Sequence, residues 1–317
     1  MRVAFLGNDP WSVPTLRALR KADDVEVALV VTNPPRPAGR GSRLTPTAVA
    51  EAAGADGLPL LEVEGVRSGD GFDVLAALEP DVLVVVAYGE ILTPDVLDIP
   101  VLGAVNVHFS LLPRWRGAAP VQRAILEGDE RTGVTVMLMD EGMDTGPILS
   151  AIETAIDDDE DAGTLGARLA ERGAPLLVEV LRRFAAGAVE PRSQDHAGAT
   201  HAPKPKPEER TLDWSSPSDA IVRRVRAFAP EPGAATTFRA LPLKILRAAD
   251  RGPHGHVLTD DAEGASTITV LPNGDVVVAA GYGSAVDVLE VAPAGRKRMT
   301  AAEWARGARI RPGERLG

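Results

Sequence analysis

The stretch 104–125, AVNVHFSLLPRWRGAAPVQRAI, interrupts an apolar run with Asn106, His108 and Ser110 at alternate positions and then turns polar through Pro113, Arg114, Arg116 and Gly117. In an extended chain, residues i and i+2 point to the same face, so Asn106 and His108 share one. Pro113 signals a turn that puts both near a strand end. Imidazole is the side chain best suited to moving or polarising charge near neutral pH, and a carboxamide N–H can donate to a developing oxyanion. The pair suits acyl or formyl transfer. A third group comes from DEGMDTGPIL (140–149), where Asp144 could orient His108 or handle a proton through water; Asp140 and Glu141 compete for that role on spacing alone. Each residue also has an ordinary reading: Asn and His satisfying loop backbone, and an Asp beside Gly forming a turn.

Other chemistries are excluded. The 317 residues contain no cysteine, which removes disulfides, thiol nucleophiles and thiolate metal sites. His108, His196, His201, His254 and His256 form no spaced ligand set, so no metal is expected, and His254 and His256 flank a glycine as turn residues do. There is no nucleophile elbow, and the first β–α turn, GNDP, lacks the later glycines of a dinucleotide fingerprint. The opening MRVAFLGNDP has an apolar run of only four residues before Gly7, too short for a signal-peptide core or a membrane span. A cytoplasmic protein without a membrane partner is expected.

The elements that must position these residues alternate. Apolar runs at 1–6, 26–32, 80–88, 104–110 and 133–139 are separated by helical patterns such as PTLRALRKA, FDVLAALE and APVQRAILEG. This alternation predicts an α/β domain with a Rossmann-like open, mainly parallel sheet over residues 1–189, its site at the strand ends. Asp144 would then lie on a loop at the same end as His108 if the strands run parallel. From 190 to 210, EPRSQDHAGATHAPKPKPEER reads as a linker. Residues 211–317 give one amphipathic helix and short strands broken by turns such as PNGD, a small OB-like β-barrel. Net charge is −11 overall, but residues 1–200 hold 17 Lys+Arg against 31 Asp+Glu, and residues 201–317 hold 17 against 14. The second part is therefore mildly basic, and an asymmetry of this kind can signal an anionic partner. The loop NPPRPAGRGSRL (33–44) places Arg36, Arg40 and Arg43 just after a strand, where they could clamp an anion.

Taken together, NVHFSLLPRWRGAAPVQRAI and MDEGMDTGPIL resemble the folate-dependent formyltransferase family. RPAGRGSRLTPTAV, VLVVVAYGEIL, GATHAPKPKPEERTLDW, RAFAPEPGAATTF and GRKRMTAAEWARG extend the similarity in order along almost the whole chain. The resemblance implies the formyltransferase fold and transfer of a formyl group from 10-formyltetrahydrofolate to the α-amine of a methionyl-initiator tRNA, by a chain expected to be a monomer. It implies that Asn106, His108 and Asp144 are catalytic. It implies a folate site around Val86, Ala87, Tyr88, Gly89, Ile91 and Leu92, with Ser110, Leu111, Leu112, Pro113 and Asp140. On the acceptor side it implies Arg36, Arg40, Arg43, Arg114, Arg116, Gly117, Lys204 and Lys206, with the barrel facing tRNA. Sugar-nucleotide formyltransferases and 10-formyltetrahydrofolate hydrolases are the enzymatic rivals, and a catalytically silent RNA-binding protein is the non-enzymatic one. Two departures stand out: GNDPWSVPTL replaces the family's GTPxFA, and Pro205 and Lys206 stand where its Lys-Ile is usual.

Overall fold

The computed structural model describes residues 1–38, 42–253 and 264–317. They divide into two compact units, the first comprising Met1–Pro120, Arg131–Ala155 and Gly166–Pro203. In chain order its elements are β1 (Arg2–Gly7), α1 (Val13–Lys21), β2 (Glu26–Thr32), a ribbon of β3 (Arg36–Ala38) and β4 (Arg43–Thr45), α2 (Ala48–Ala55), β5 (Leu60–Glu62), α3 (Asp70–Leu78), β6 (Val82–Val86), α4 (Pro94–Leu97) and β7 (Ala104–His108). α5 (Pro120–Glu127), counted from Val121 in the second unit, is followed by β8 (Arg131–Leu138), β9 (Ile148–Ala155) and the long α6 (Ala162–Ala185), which belongs to the first unit from Gly166 onward.

The sheet order is β5-β2-β1-β6-β7-β8-β9. All five residues of β6, VLVVV, are buried, as expected of a strand covered on both faces. Phe5, Leu6 and Leu83 are fully buried beside it, each stabilising the platform by about 1.5–3 kcal/mol. Gly173 of α6 lets that helix approach the sheet, because a Cβ there would already sit 3.0 Å from Val134 and 3.1 Å from Val107.

The first five strands in that order are parallel, but β8 runs antiparallel to both β7 and β9, with Val105 opposite Leu138 and His108 opposite Thr135. The premise of parallel strands on both sides of the site is thus corrected. The C-terminal end of β8 lies beside the start of β7, so the loop carrying Asp144 must fold back to reach His108.

The unusual first turn has a structural role. Asn8 accepts from Thr32 Oγ1 (2.8 Å) and the Asn33 amide (2.8 Å) and donates to the Tyr88 carbonyl. One carboxamide therefore ties the ends of β1, β2 and β6 together.

The second unit comprises Val121–Glu130, Ile156–Leu165 and Lys204–Gly317. It contains α7 (Ser218–Phe228), β10 (Ala234–Phe238), β11 (Leu241–Pro253), β12 (Ile268–Val270), β13 (Val276–Ala279), β14 (Ser284–Pro293), β15 (Met299–Thr300) and α8 (Ala301–Ala308). Its antiparallel sheet runs β10-β11-β14-β13-β12, with β15 on β14. The tail bridges back, Leu316 to Phe238 and Arg315 to Thr267, which closes the sheet into a small barrel. Its core gathers Trp214, Val225, Ile245, Val286 and Trp304. No helix among the described residues is long and apolar enough to cross a membrane.

Candidate active site

The structure brings the three candidate side chains together over β7. Asn106 Nδ2 lies 3.4 Å from Asp144 Oδ1, and His108 Nδ1 lies 3.7 Å from Asp144 Oδ2. The Gly117 amide donates to the same Oδ2 at 2.8 Å. Asp140 and Glu141 do not take this place. Asp140 Oδ1 accepts from the Gly142 amide (3.1 Å) and Thr145 Oγ1 (2.6 Å), shaping the loop from within.

The other ring nitrogen is committed. His108 Nε2 is 2.9 Å from the Trp115 carbonyl, which can only accept, so Nε2 carries a hydrogen and Nδ1 is the nitrogen left to meet a substrate. The His108 side chain is 6% exposed and that of Asp144 17%. At 3.4 and 3.7 Å these contacts are loose, and the Asn106 amide, the His108 Nδ1 and the Asp144 carboxylate converge on one place.

Local backbone makes this possible. Asp144 has φ +54, a left-handed conformation that costs a non-glycine residue on the order of 1–3 kcal/mol and persists only where its surroundings fix it. Gly146 lets the loop double back, since a Cβ there would lie 2.0 Å from the Leu138 carbonyl.

The segment expected to be a linker supplies much of the fixing. Arg192 pairs with Ile148 through both backbone bonds. The Thr200 hydroxyl accepts from the Trp115 amide at 2.9 Å, and residues 200–202 pair with Arg116 and Ala119. Residues 192–202 are thus a strap of the first unit. Its Pro, Gly and Ala content suggested mobility, but its backbone bonds are made to the site loops.

Several expected ligand contacts are placed differently. Arg116 is 5% exposed, and its guanidinium donates to Gln194 Oε1 (3.1 and 2.7 Å) and meets His196 Nδ1 at 3.2 Å, so it is an interior support and not a surface cation. Gly117 serves Asp144 through its amide. Ser110 lies beyond the end of β7, fully buried, with its hydroxyl donating to the Arg114 carbonyl at 2.6 Å, so it does not share the face of Asn106 and His108. Leu112 is buried, while Leu111 and Pro113 are half-buried.

Arg114 is exposed, its guanidinium 4.4 Å from the Trp115 ring centre. Arg36 is exposed and paired with Glu64 at 2.7 Å; Arg43, Lys204 and Lys206 are exposed. Arg40, His254 and His256 lie outside the described residues.

Around the end of β6, Val86, Tyr88 and Leu92 are buried, Ala87 and Gly89 have positive φ, and Ile91 is 55% exposed. The Tyr88 hydroxyl is buried, with Glu90 as its polar neighbour. Burial, and then the charge of Glu90, pushes its phenol up. Sequence reasoning missed Gln194, Thr200 and Asn8, because a glutamine in a proline-rich stretch or an asparagine in a turn carries no periodic signal.

No group of three His, Asp or Glu side chains among the described residues could hold a metal. A cavity of about 220 Å³ in the second unit, bordered by Phe238, Leu241, Met299 and Trp304 together with Arg239, Arg296 and Glu303, is lined by no histidine or asparagine.

Residues 1–181 match the Formyl transferase family and residues 204–309 the Formyl transferase C-terminal domain. The chain is 44% identical to a methionyl-tRNA formyltransferase of Magnetococcus marinus, over 100% of this chain and 98% of the relative. It is 46% identical to one of Halorhodospira halophila, over 99% and 98%. Among solved structures, the Helicobacter canadensis N-formyltransferase in complex with folinic acid and dTDP-3-aminofucose superposes with a TM-score of 0.64 at 17% identity, covering 90% of this chain and 98% of that one.

Proposed function

Since this chain belongs to the formyl transferase family, we propose that it formylates the free α-amine of methionyl-initiator tRNA in the cytoplasm, with 10-formyltetrahydrofolate as donor. The observation that carries the chemistry is the convergence of Asn106 Nδ2, His108 Nδ1 and the Asp144 carboxylate. The acceptor is supported by the full-length relatives named methionyl-tRNA formyltransferase.

The residues present fit the donor. Around the end of β6, Val86 and Leu92 are buried, Ile91 is exposed and the chain turns through positive φ at Ala87 and Gly89, an apolar bend of the kind that can receive a heteroaromatic ring. The carboxamide and imidazole are the neutral and cationic donors that a formyl oxygen needs. When bound, the folate supplies a formyl group on nitrogen whose carbonyl carbon is open to an amine.

Asn106 Nδ2 then donates to the oxygen on which negative charge develops, and protonated His108 donates to it from Nδ1. Preorganised donors of this kind contribute about 3–4 kcal/mol each. Trp115's carbonyl holds Nε2 and so fixes the plane of the ring. The Asp144 carboxylate stabilises the imidazolium and, directly or through one water, would take the proton that the amine loses as its bond to the formyl carbon forms and pass it to the donor nitrogen as the bond between that nitrogen and the formyl carbon breaks. Arg36, Arg40, Arg43, Arg114, Lys204 and Lys206 make up the cationic set for the tRNA phosphates.

The test supplies the purified chain with 10-formyltetrahydrofolate and, in parallel, methionyl-initiator tRNA, an aminosugar nucleotide, or water alone as acceptor. Formyl transfer to the charged tRNA at least a hundredfold faster than to the others is expected. Equal or faster transfer to the sugar nucleotide, or hydrolysis alone, overturns the reading.

A further inference from the structure

Gln194 is 6% exposed and uses all of its polar capacity at one place. Its Oε1 accepts two bonds from Arg116, at 3.1 and 2.7 Å. Its Nε2 donates to the carbonyls of Asp144 (2.9 Å) and Gly146 (2.7 Å). A guanidinium can only donate and a carbonyl can only accept, so the orientation of the amide is fixed by its partners.

The carbonyls it grips belong to the loop that must fold back from the wrong end of the antiparallel β8, and one of them is that of left-handed Asp144. No strand ladder holds that stretch. Among the described residues, the side chain that donates to the Asp144 backbone oxygen is that of Gln194, itself clamped by a buried cation.

We propose that Gln194, oriented by Arg116, is a positioning residue that sets Asp144 so that its carboxylate faces His108 Nδ1 and the Gly117 amide. The role rests on the transfer chemistry proposed above. Gln194 touches no reacting atom. It acts through the Asp144 main chain, and the strap 192–202 thereby becomes part of the site's framework.

Gln194→Glu separates this from a merely structural role. The new carboxylate keeps and strengthens the Arg116 contact, but it turns an acceptor toward two carbonyls and so repels the loop. Measured on the full chain, its thermal midpoint should stay near that of the parent. kcat should fall about tenfold or more, and KM for both substrates should stay within about twofold, the pattern of an interaction realised only in the transition state. The Gly117 amide proton, which reports its bond to Asp144 Oδ2, should move upfield in the NMR spectrum of the free chain.

If Gln194→Glu does not fold, Gln194→Met, which is of similar size and cannot hydrogen-bond the loop, takes its place with the same kinetic and NMR expectations, and with a lower thermal midpoint because the buried Arg116 loses its acceptor. A kcat within twofold of the parent, or an unmoved Gly117 resonance, overturns the proposal. The amide readout needs no substrate, so it judges Gln194 even if the parent chain fails to formylate tRNA.

Discussion

Asp144→Asn isolates the charge at the centre of the site. The replacement keeps the size of the side chain and an oxygen for the Gly117 amide, but it removes the negative charge 3.7 Å from His108 Nδ1. Two unit charges at that distance interact by about 4.5 kcal/mol at an effective dielectric of 20. Asp144 is 17% exposed, and solvent screening brings the usable part to about 2–3 kcal/mol. The imidazolium formed during transfer loses that support, which corresponds to a fall in kcat of about 30- to 160-fold. The amide's N–H₂ also meets donors where the carboxylate offered an acceptor, which adds to the loss. Steady-state kinetics with charged initiator tRNA varied against saturating donor gives kcat and KM separately. Thermal melting of the same preparations shows that the loss is not unfolding. A kcat within fivefold of the parent, or a loss appearing wholly in KM, would refute the electrostatic argument.

Gly117→Ala should lower kcat at least tenfold, since its φ of +123 and a Cβ 2.7 Å from the Ala202 carbonyl force the amide away from Asp144; unchanged kinetics would separate that amide from the chemistry. Asn8→Ala removes the tie between β1, β2 and β6, and the stability lost should be about 1–3 kcal/mol. That loss appears as a thermal midpoint lower by roughly 3–10 °C, whereas a shift under 1 °C would mean the strand ends hold without it. Glu209 accepts a forked pair of bonds from Arg123 at 2.6 and 3.0 Å. That guanidinium holds its carboxyl down at about 2, against an ordinary 4.5. A depressed carboxyl contributes its stability above the unfolded value and loses it as pH falls toward the folded one. Denaturant titrations should therefore show the parent more stable than Glu209→Gln at pH 7, with the gap shrinking between pH 4.5 and 2; a constant gap would contradict the assignment.

The legible part of the fold followed from apolar runs. VLVVV at 82–86 reads as a doubly covered strand because burial on both faces demands continuous apolar residues, and Asn106 and His108 announced themselves by standing polar on such a background. The direction of β8 was not legible. A buried parallel strand and a buried antiparallel strand can share one composition, and direction is decided by where the connections leave the sheet. That hidden reversal is why the route of Asp144 to His108, and the need for Gln194 to hold it, came only with the structure. Arg116 misled because an arginine in a turn is usually solvated. Here Gln194 Oε1 and His196 meet its guanidinium, and its exposure falls to 5%. The strap 192–202 misled for a related reason, since its backbone partners on Ile148 and on residues 115–119 lie far away in sequence.

The most direct measurement is a structure of the chain bound to an unreactive formyl-folate analogue and a methionyl-adenosine mimic of the acceptor end. The account predicts the formyl oxygen within hydrogen-bond reach of Asn106 Nδ2 and His108 Nδ1, with the amine between the carbonyl carbon and the Asp144 carboxylate. A formyl group bound out of reach of both donors, or an amine approaching from the side away from Asp144, would contradict it.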